Sequence, residues 1–158
     1  MSDRAKLPAE EIVPAIATEL ARLGVTATFG YLLTPRDING NPIDGGTGEL
    51  VLTLPRSLGM RAELSSRSLV DRAVDLVARR FATGDAVFDD AVHVVTEPRD
   101  ATTRLLGDPA LRRAIVDLVT PARPMSIDGA KVTLRWPGLA QEPGPRAIRL
   151  LELLLAAP

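Results

Sequence analysis

No cysteine occurs among the 158 residues. Disulfides, thiolate nucleophiles and Cys-ligated zinc or iron–sulfur sites are therefore excluded, and the chain suits a reducing compartment. Aromatic residues make up 3% of the sequence, too few for the stacking platforms that hold single-stranded nucleic acid. His93 is the only histidine, and a lone imidazole with no second His or Cys is a poor start for a metal site. Charge of one sign is lacking too. Residues 1–80 hold ten acidic and ten basic side chains, residues 81–158 ten and nine, for a net charge of -1. Neither half offers a basic footprint, so nucleic acid is not an expected partner. The longest apolar tract, Leu150–Ala157, is broken by Glu152 and falls far short of the roughly 20 residues that span a bilayer. Met1–Pro8 has no apolar core of a secretory signal. The expectation is a cytoplasmic protein without an integral membrane segment.

Catalytic signatures are missing as well. There is no Gly-x-Ser-x-Gly elbow, Walker loop, dinucleotide fingerprint or His-Glu-x-x-His. Gly45-Gly46-Thr47-Gly48 is glycine-rich but precedes a strand pattern, so it lacks the helix dipole that draws phosphate. No catalytic, cofactor-binding or metal residue is assigned, and the chain reads as non-enzymatic without a cofactor.

What is present is an ordinary globular composition, 46% apolar and 25% charged, in a length that suits one domain over 1–158. Residues 8–23 carry a helical stripe of Ile12, Ile16, Leu20 and Leu23, with Gly24 placed to end it and Pro14 as an internal obstacle. Thr26–Leu33 alternates as a strand with Phe29, Tyr31 and Leu33 on one face. Leu50, Leu52 and Leu54 mark a second strand; Met60, Ala62 and Leu64 mark a third, with Pro55–Gly59 turning between them. The 35–48 segment is a long loop whose Asp37, Asn39 and Asn41 have the spacing of a calcium loop. Pro42 stands where that loop needs glycine, and its twelfth position is Gly48, so it reads as a plain mobile hairpin loop.

Ser68-Leu69-Val70-Asp71 begins a second helix that runs to Gly84, with Asp75 and Arg79 pairing across one turn. Asp100 is expected to cap a short helix through Leu106. Asp108-Pro109 starts another with Leu111, Ile115 and Leu118 inward. Met125–Ile127 and Ala130–Trp136 flank Asp128-Gly129, a strong hairpin signal. Residues 137–145 are linker-like, and Arg146–Ala157 is a helix so apolar that it needs cover on most sides, from its own core or from a partner. Helices mixed with antiparallel hairpins indicate an α+β fold: a single two-layer domain, mostly antiparallel sheet, with helices packed on one face.

The densest stretch is Phe81–Val95, which combines a Gly84-Asp85 turn, Phe88, three aspartates and the lone histidine. Asp85, Asp89 and Asp90 lie on one element, whereas metal and acid/base sites need carboxylates converging from several. The favoured reading is a structural corner in which Asp85 binds backbone amides, Phe88 anchors the turn, and Asp89 caps or pairs with Arg79 or Arg80. Val92 and Val94 then face the core and His93 faces out with Val95. The motif Gly84, Asp85, Phe88, Asp89, followed by Val92–Val95, a helical pair over Leu105–Val119 and the Ile127–Leu134 hairpin, resembles a pattern in bacterial proteins of unknown function, some of them membrane-tethered. The resemblance covers about half of the chain. It implies no particular activity, and no hydrophobic tether is seen in this sequence.

Three functions follow as expectations. The first is a non-enzymatic interaction or scaffold domain that binds a protein partner or itself, suggested by the apolar C-terminal helix. The second is a small-molecule ligand site in an apolar pocket between sheet and helices with the 35–48 loop as its lid. The third is an acid-dependent hydrolase using Asp85 or Asp89.

Overall fold

The structure, a computed structural model, describes residues 12–32, 38–40, 47–66, 81–119, 124–137 and 144–157. The expected helix from Ser68, with its Asp75–Arg79 pair, most of the 35–48 loop and the middle of the 137–145 stretch lie outside them. In chain order the described elements are α1 (Ile12–Ala15), α2 (Ala17–Leu23), β1 (Thr26–Leu32), β2 (Thr47–Thr53), β3 (Arg61–Ser66), α3 (Ala86–Ala91), β4 (Val92–Glu97), α4 (Arg99–Leu105), α5 (Pro109–Leu118), β5 (Met125–Asp128), β6 (Lys131–Pro137) and α6 (Gly144–Ala156). They form a single α+β domain around one six-stranded antiparallel sheet of order β1-β2-β6-β5-β3-β4.

Alternation along the strands sorts the sheet into a dry side and a wet side, with Thr133 of β6 a buried exception in the middle of the wet side. On the dry side, Phe29, Leu50, Leu134, Met125, Leu64 and Val94 lie in one row across all six strands. The next row holds Ala27, Leu52, Val132, Ile127, Ala62 and Thr96. Most of these side chains are buried in the one core they share with the apolar stripes of the helices. The helix α6 is the centre of the covering layer, packed between α1 and α2 on one side and α5 on the other. Its Ala147, Leu150, Leu151 and Leu154 are wholly buried. The cover this helix needs thus comes from its own domain. Arg56 donates from Nη2 to the carbonyl oxygens of Leu154, Leu155 and Ala157, closing the helix end where backbone donors run out.

Several local expectations are corrected. The first helical stripe is two pieces rather than one, because Pro14 has no N–H to continue the ladder and the chain turns at Ile16. Gly24 does end α2, at φ 69°, with Val25 N–H on Leu20 O and Gly24 N–H on Ala21 O. Pro98, not Asp100, is the N-cap residue of α4; Asp100 lies in its first turn. The peptide bond Glu97–Pro98 is cis. Asp108 caps α5 as expected, accepting from Ala110 N at 2.9 Å, with Leu111, Ile115 and Leu118 buried. Gly48, the twelfth position of the calcium-like loop, is a β2 residue opposite Tyr31.

The larger correction concerns topology. Strands β2 and β3 are consecutive in the chain but not neighbours, because the β5–β6 hairpin sits between them. The 54–60 segment crosses the tip of that hairpin. It is fastened there by Leu54 N–H to Ala130 O, Leu58 N–H to Gly129 O, and Gly129 N–H to Met60 O. Asp128 pairs with Lys131, so the turn residues are Gly129 and Ala130, one step later than Asp128-Gly129. Gly129 has φ 61° and Ala130 a negative φ, the signature of a type II′ turn.

Candidate functional site

The sequence-selected residues Gly84, Asp85, Phe88 and Asp89 do come together, as a helix start. Phe81–Asp85 is not helical, and Asp85 is the N-cap of α3, a short helix that the turn-then-strand reading overlooked. Asp85 Oδ1 accepts from Val87 N at 3.1 Å and Phe88 N at 3.3 Å. Its Oδ2 accepts from Arg112 Nε at 3.0 Å, and Arg112 Nη1 reaches Leu106 O at 2.7 Å, so α5 and the end of α4 are tied to the cap. Asp89 folds back on the incoming chain. Its Oδ1 takes both the N–H and the hydroxyl of Thr83 at 2.8 Å, and its Oδ2 takes Gly84 N–H at 3.0 Å. The Thr83 hydroxyl in turn accepts from Asp85 N at 3.2 Å. Arg79 and Arg80, suggested partners of Asp89, lie outside the described residues. Phe88, 1% exposed, drives into the core beneath this network. Thr83 and Arg112 are the members that sequence reasoning missed. Thr83 belongs to the Asp89 loop by local spacing, but nothing in the sequence points to Arg112, 27 residues from Asp85.

The Arg112 hydrogen bond, then the Phe88 amide, hold the Asp85 carboxyl below its ordinary value near 3.8. The folded state therefore favours the ionised form. The stability this adds is present above the ordinary carboxylate range and is lost as pH falls through the folded-state pKa. Asp85→Asn keeps an acceptor for the cap but removes the charge. The variant is expected to be less stable than the parent at about pH 7, with the gap narrowing by about pH 3. Urea unfolding at both pH values checks this; an equal gap at each would remove the carboxylate charge from the account.

The wet side of the sheet is organised differently. At one end, Lys131, Asp128, Arg61 and Glu97 occupy one row across β6, β5, β3 and β4, and every neighbour in it is of opposite charge. Arg61 Nε lies 3.5 Å from Asp128 Oδ1. Such cross-strand pairs each contribute modestly, but the row as a whole fixes a definite pattern of potential. The middle row is Thr28, Val51, Thr133, Ser126, Glu63 and Val95. The far row brings Glu49 to Arg135, paired at 2.9 Å, and Ser65 to the half-buried His93.

Depressions among the described residues mark this surface. An open cleft of about 600 Å³ lies over the charged end, between Arg61, Glu97, Asp128 and the backbone of Gly59 and Gly129. Its wall is braced from behind, where Thr96 Oγ1 donates to Arg61 O at 3.1 Å and also meets the hydroxyl of the buried Thr102. A smaller hollow of about 110 Å³ lies among Glu63, Ser65, Ser126, Thr133 and Arg135. Among the described residues, no group of three or more His, Cys, Asp or Glu is placed to hold a metal ion. Nor is any described helix long and apolar enough to cross a membrane. Comparisons with protein families, with curated proteins and with solved structures find no match for the chain.

Proposed function

We propose that this protein is a non-enzymatic interaction domain that binds a protein partner across the wet side of its sheet. The observation that carries the reading is the asymmetry of the sheet. The described dry-side rows are mostly buried in the core shared with the helices, while the opposite side presents exposed Thr28, Glu63, Val95, Arg61 and Lys131 around two hollows. Mixed charge with interspersed threonine and valine is the composition of a recognition surface rather than of a catalytic pocket. The apolar C-terminal helix, which first suggested an interaction role, does not support it, since α6 is consumed inside the core. Asp85 and Asp89, the candidates for acid-dependent hydrolysis, are engaged by backbone amides and Arg112, which favours their structural role. A second reading, a small polar ligand, has one supporting feature, the cleft at Arg61, Glu97 and Asp128.

A photo-crosslinking residue at Ser126, in the middle of the wet side, tests the first reading when compared in the native host with the same residue at the exposed Arg113 on α5. The expected result is a discrete protein adduct from position 126, weakened by charge reversal in Arg61→Glu, and none of that size from position 113. Identical adducts at both positions would overturn the proposal. A melting midpoint raised in proportion to an added polar metabolite, and flattened by Arg61→Ala, would transfer support to the ligand reading.

A further inference from the structure

Among the described strands, β1 and β4 stand at the two edges of the sheet. In β4 the main chain itself restricts how another strand can join. Val92 gives its N–H to Phe88 O at the end of α3, so that amide does not belong to the β3–β4 ladder. An antiparallel ladder alternates between residues bonded to the neighbour and residues facing away. His93, Val95 and Glu97 are then the residues bonded to Ser65, Glu63 and Arg61, while the main-chain groups of Val94 and Thr96 face away from the sheet. Beyond them stands Pro98, which has no N–H. The outward edge thus has complete donor–acceptor sets at Val94 and Thr96, bounded on one side by a committed amide and on the other by a missing one.

We propose that this edge pairs with the same edge of a second copy of the chain, antiparallel about a two-fold axis at Val95. Val94 then exchanges both main-chain hydrogen bonds with Thr96 of the second copy, and the axis repeats the exchange. A slide by two residues in one direction places the committed Val92 amide in the ladder, and a slide in the other direction places Pro98 there. A slide by one residue opposes outward groups to groups already bonded to β3 and turns the dry side of one copy to the wet side of the other. Only the register centred on Val95 avoids all of these. The side chains agree with it. Val95, 59% exposed on the wet side, meets its own counterpart, and on either flank His93 faces Glu97 of the second copy, an imidazole opposite a carboxylate. An isologous contact of this kind must be self-complementary about its axis, and this row is. Paired edges would join two six-stranded sheets into one continuous surface, with the proposed recognition side doubled. The inference rests on the interaction reading and names the partner of the edge.

The pairing is short, so it is expected to be concentration-dependent. The absence of cysteine provides a clean test. In this register Val95 and its counterpart form a non-hydrogen-bonded pair with Cα atoms about 4.5 Å apart, within disulfide range. Val95→Cys in the full chain is expected to form a disulfide-linked dimer under mild oxidation far faster than Lys131→Cys on the same side of the sheet. Light scattering over a dilution series is expected to show a dimer that Val95→Lys weakens by about tenfold or more, with a melting midpoint equal to the parent's at dilutions where both are monomeric. A strictly monomeric parent chain, a dimer indifferent to Val95→Lys, or equal crosslinking from both cysteine positions would each overturn the pairing. A monomer that still gives the Ser126 adduct removes the dimer alone, and a trapped dimer without that adduct removes the sheet-surface reading alone.

Discussion

Phe88→Ala is expected to destabilise the domain by about 3–5 kcal/mol, which corresponds to a fall of roughly 10 °C in the melting midpoint. The side chain is 1% exposed and is the largest in the wholly buried set. The magnitude follows from where it sits. It is the third residue of α3, held by the Asp85 cap at its own amide and by the Asp89 loop behind it. A six-residue helix has little stability of its own, so the space left by the ring is not readily refilled by a local shift without loosening both carboxylates. Urea titration of parent and variant measures the effect. A midpoint that does not move would show that Phe88 is not the anchor of this corner.

The second large effect is expected on removing α6. A chain ending at residue 143 loses Leu150, Leu151 and Leu154, each fully buried and each contributing about 1.5–3 kcal/mol. Total stabilities of ordinary domains are only about 5–15 kcal/mol. The same cut uncovers the apolar stripes of α2 and α5 that face the helix. The shortened chain should therefore show no cooperative thermal transition and should associate through exposed apolar surface. A sharp transition near the parent's midpoint would mean that α6 is an appendage after all.

These two effects differ in how far the sequence announces them. The burial of Phe88 is legible because a large apolar side chain follows the Gly84-Asp85 turn, but the helix that holds it is not, since the six residues after Asp85 are too few to show a helical period. Most of the strands were legible from alternation, since Leu50/Leu52, Ala62/Leu64 and Val132/Leu134 each place one face inward, and Met125–Ile127 from the hairpin signal beside it. What alternation does not carry is order. Nothing local says that Leu52 lies beside Val132 rather than beside Ala62, because both pairings bury the same side chains. The cover over α6 is hidden for a similar reason, as an apolar stripe is the same stripe whether its cover comes from α5 or from another chain. Arg112 is the extreme case: a helix-surface arginine whose partner is set wholly by the packing of α5 against α3.

The insertion of the β5–β6 hairpin between β2 and β3 also sets a timetable. During synthesis β1, β2, β3 and β4 all emerge before the two strands that complete the middle of the sheet. Until then β2 and β3 have each only one neighbour, and the 54–60 crossing has no hairpin tip to bind. Contacts of such long sequence separation close late and slowly. The growing chain thus holds two separate pairs of strands, β1–β2 and β3–β4, and about a dozen residues from Met125 onward join them into one sheet, which α6 then covers. An interruption of translation just before Met125 would leave the inner edges of β2 and β3 open at once.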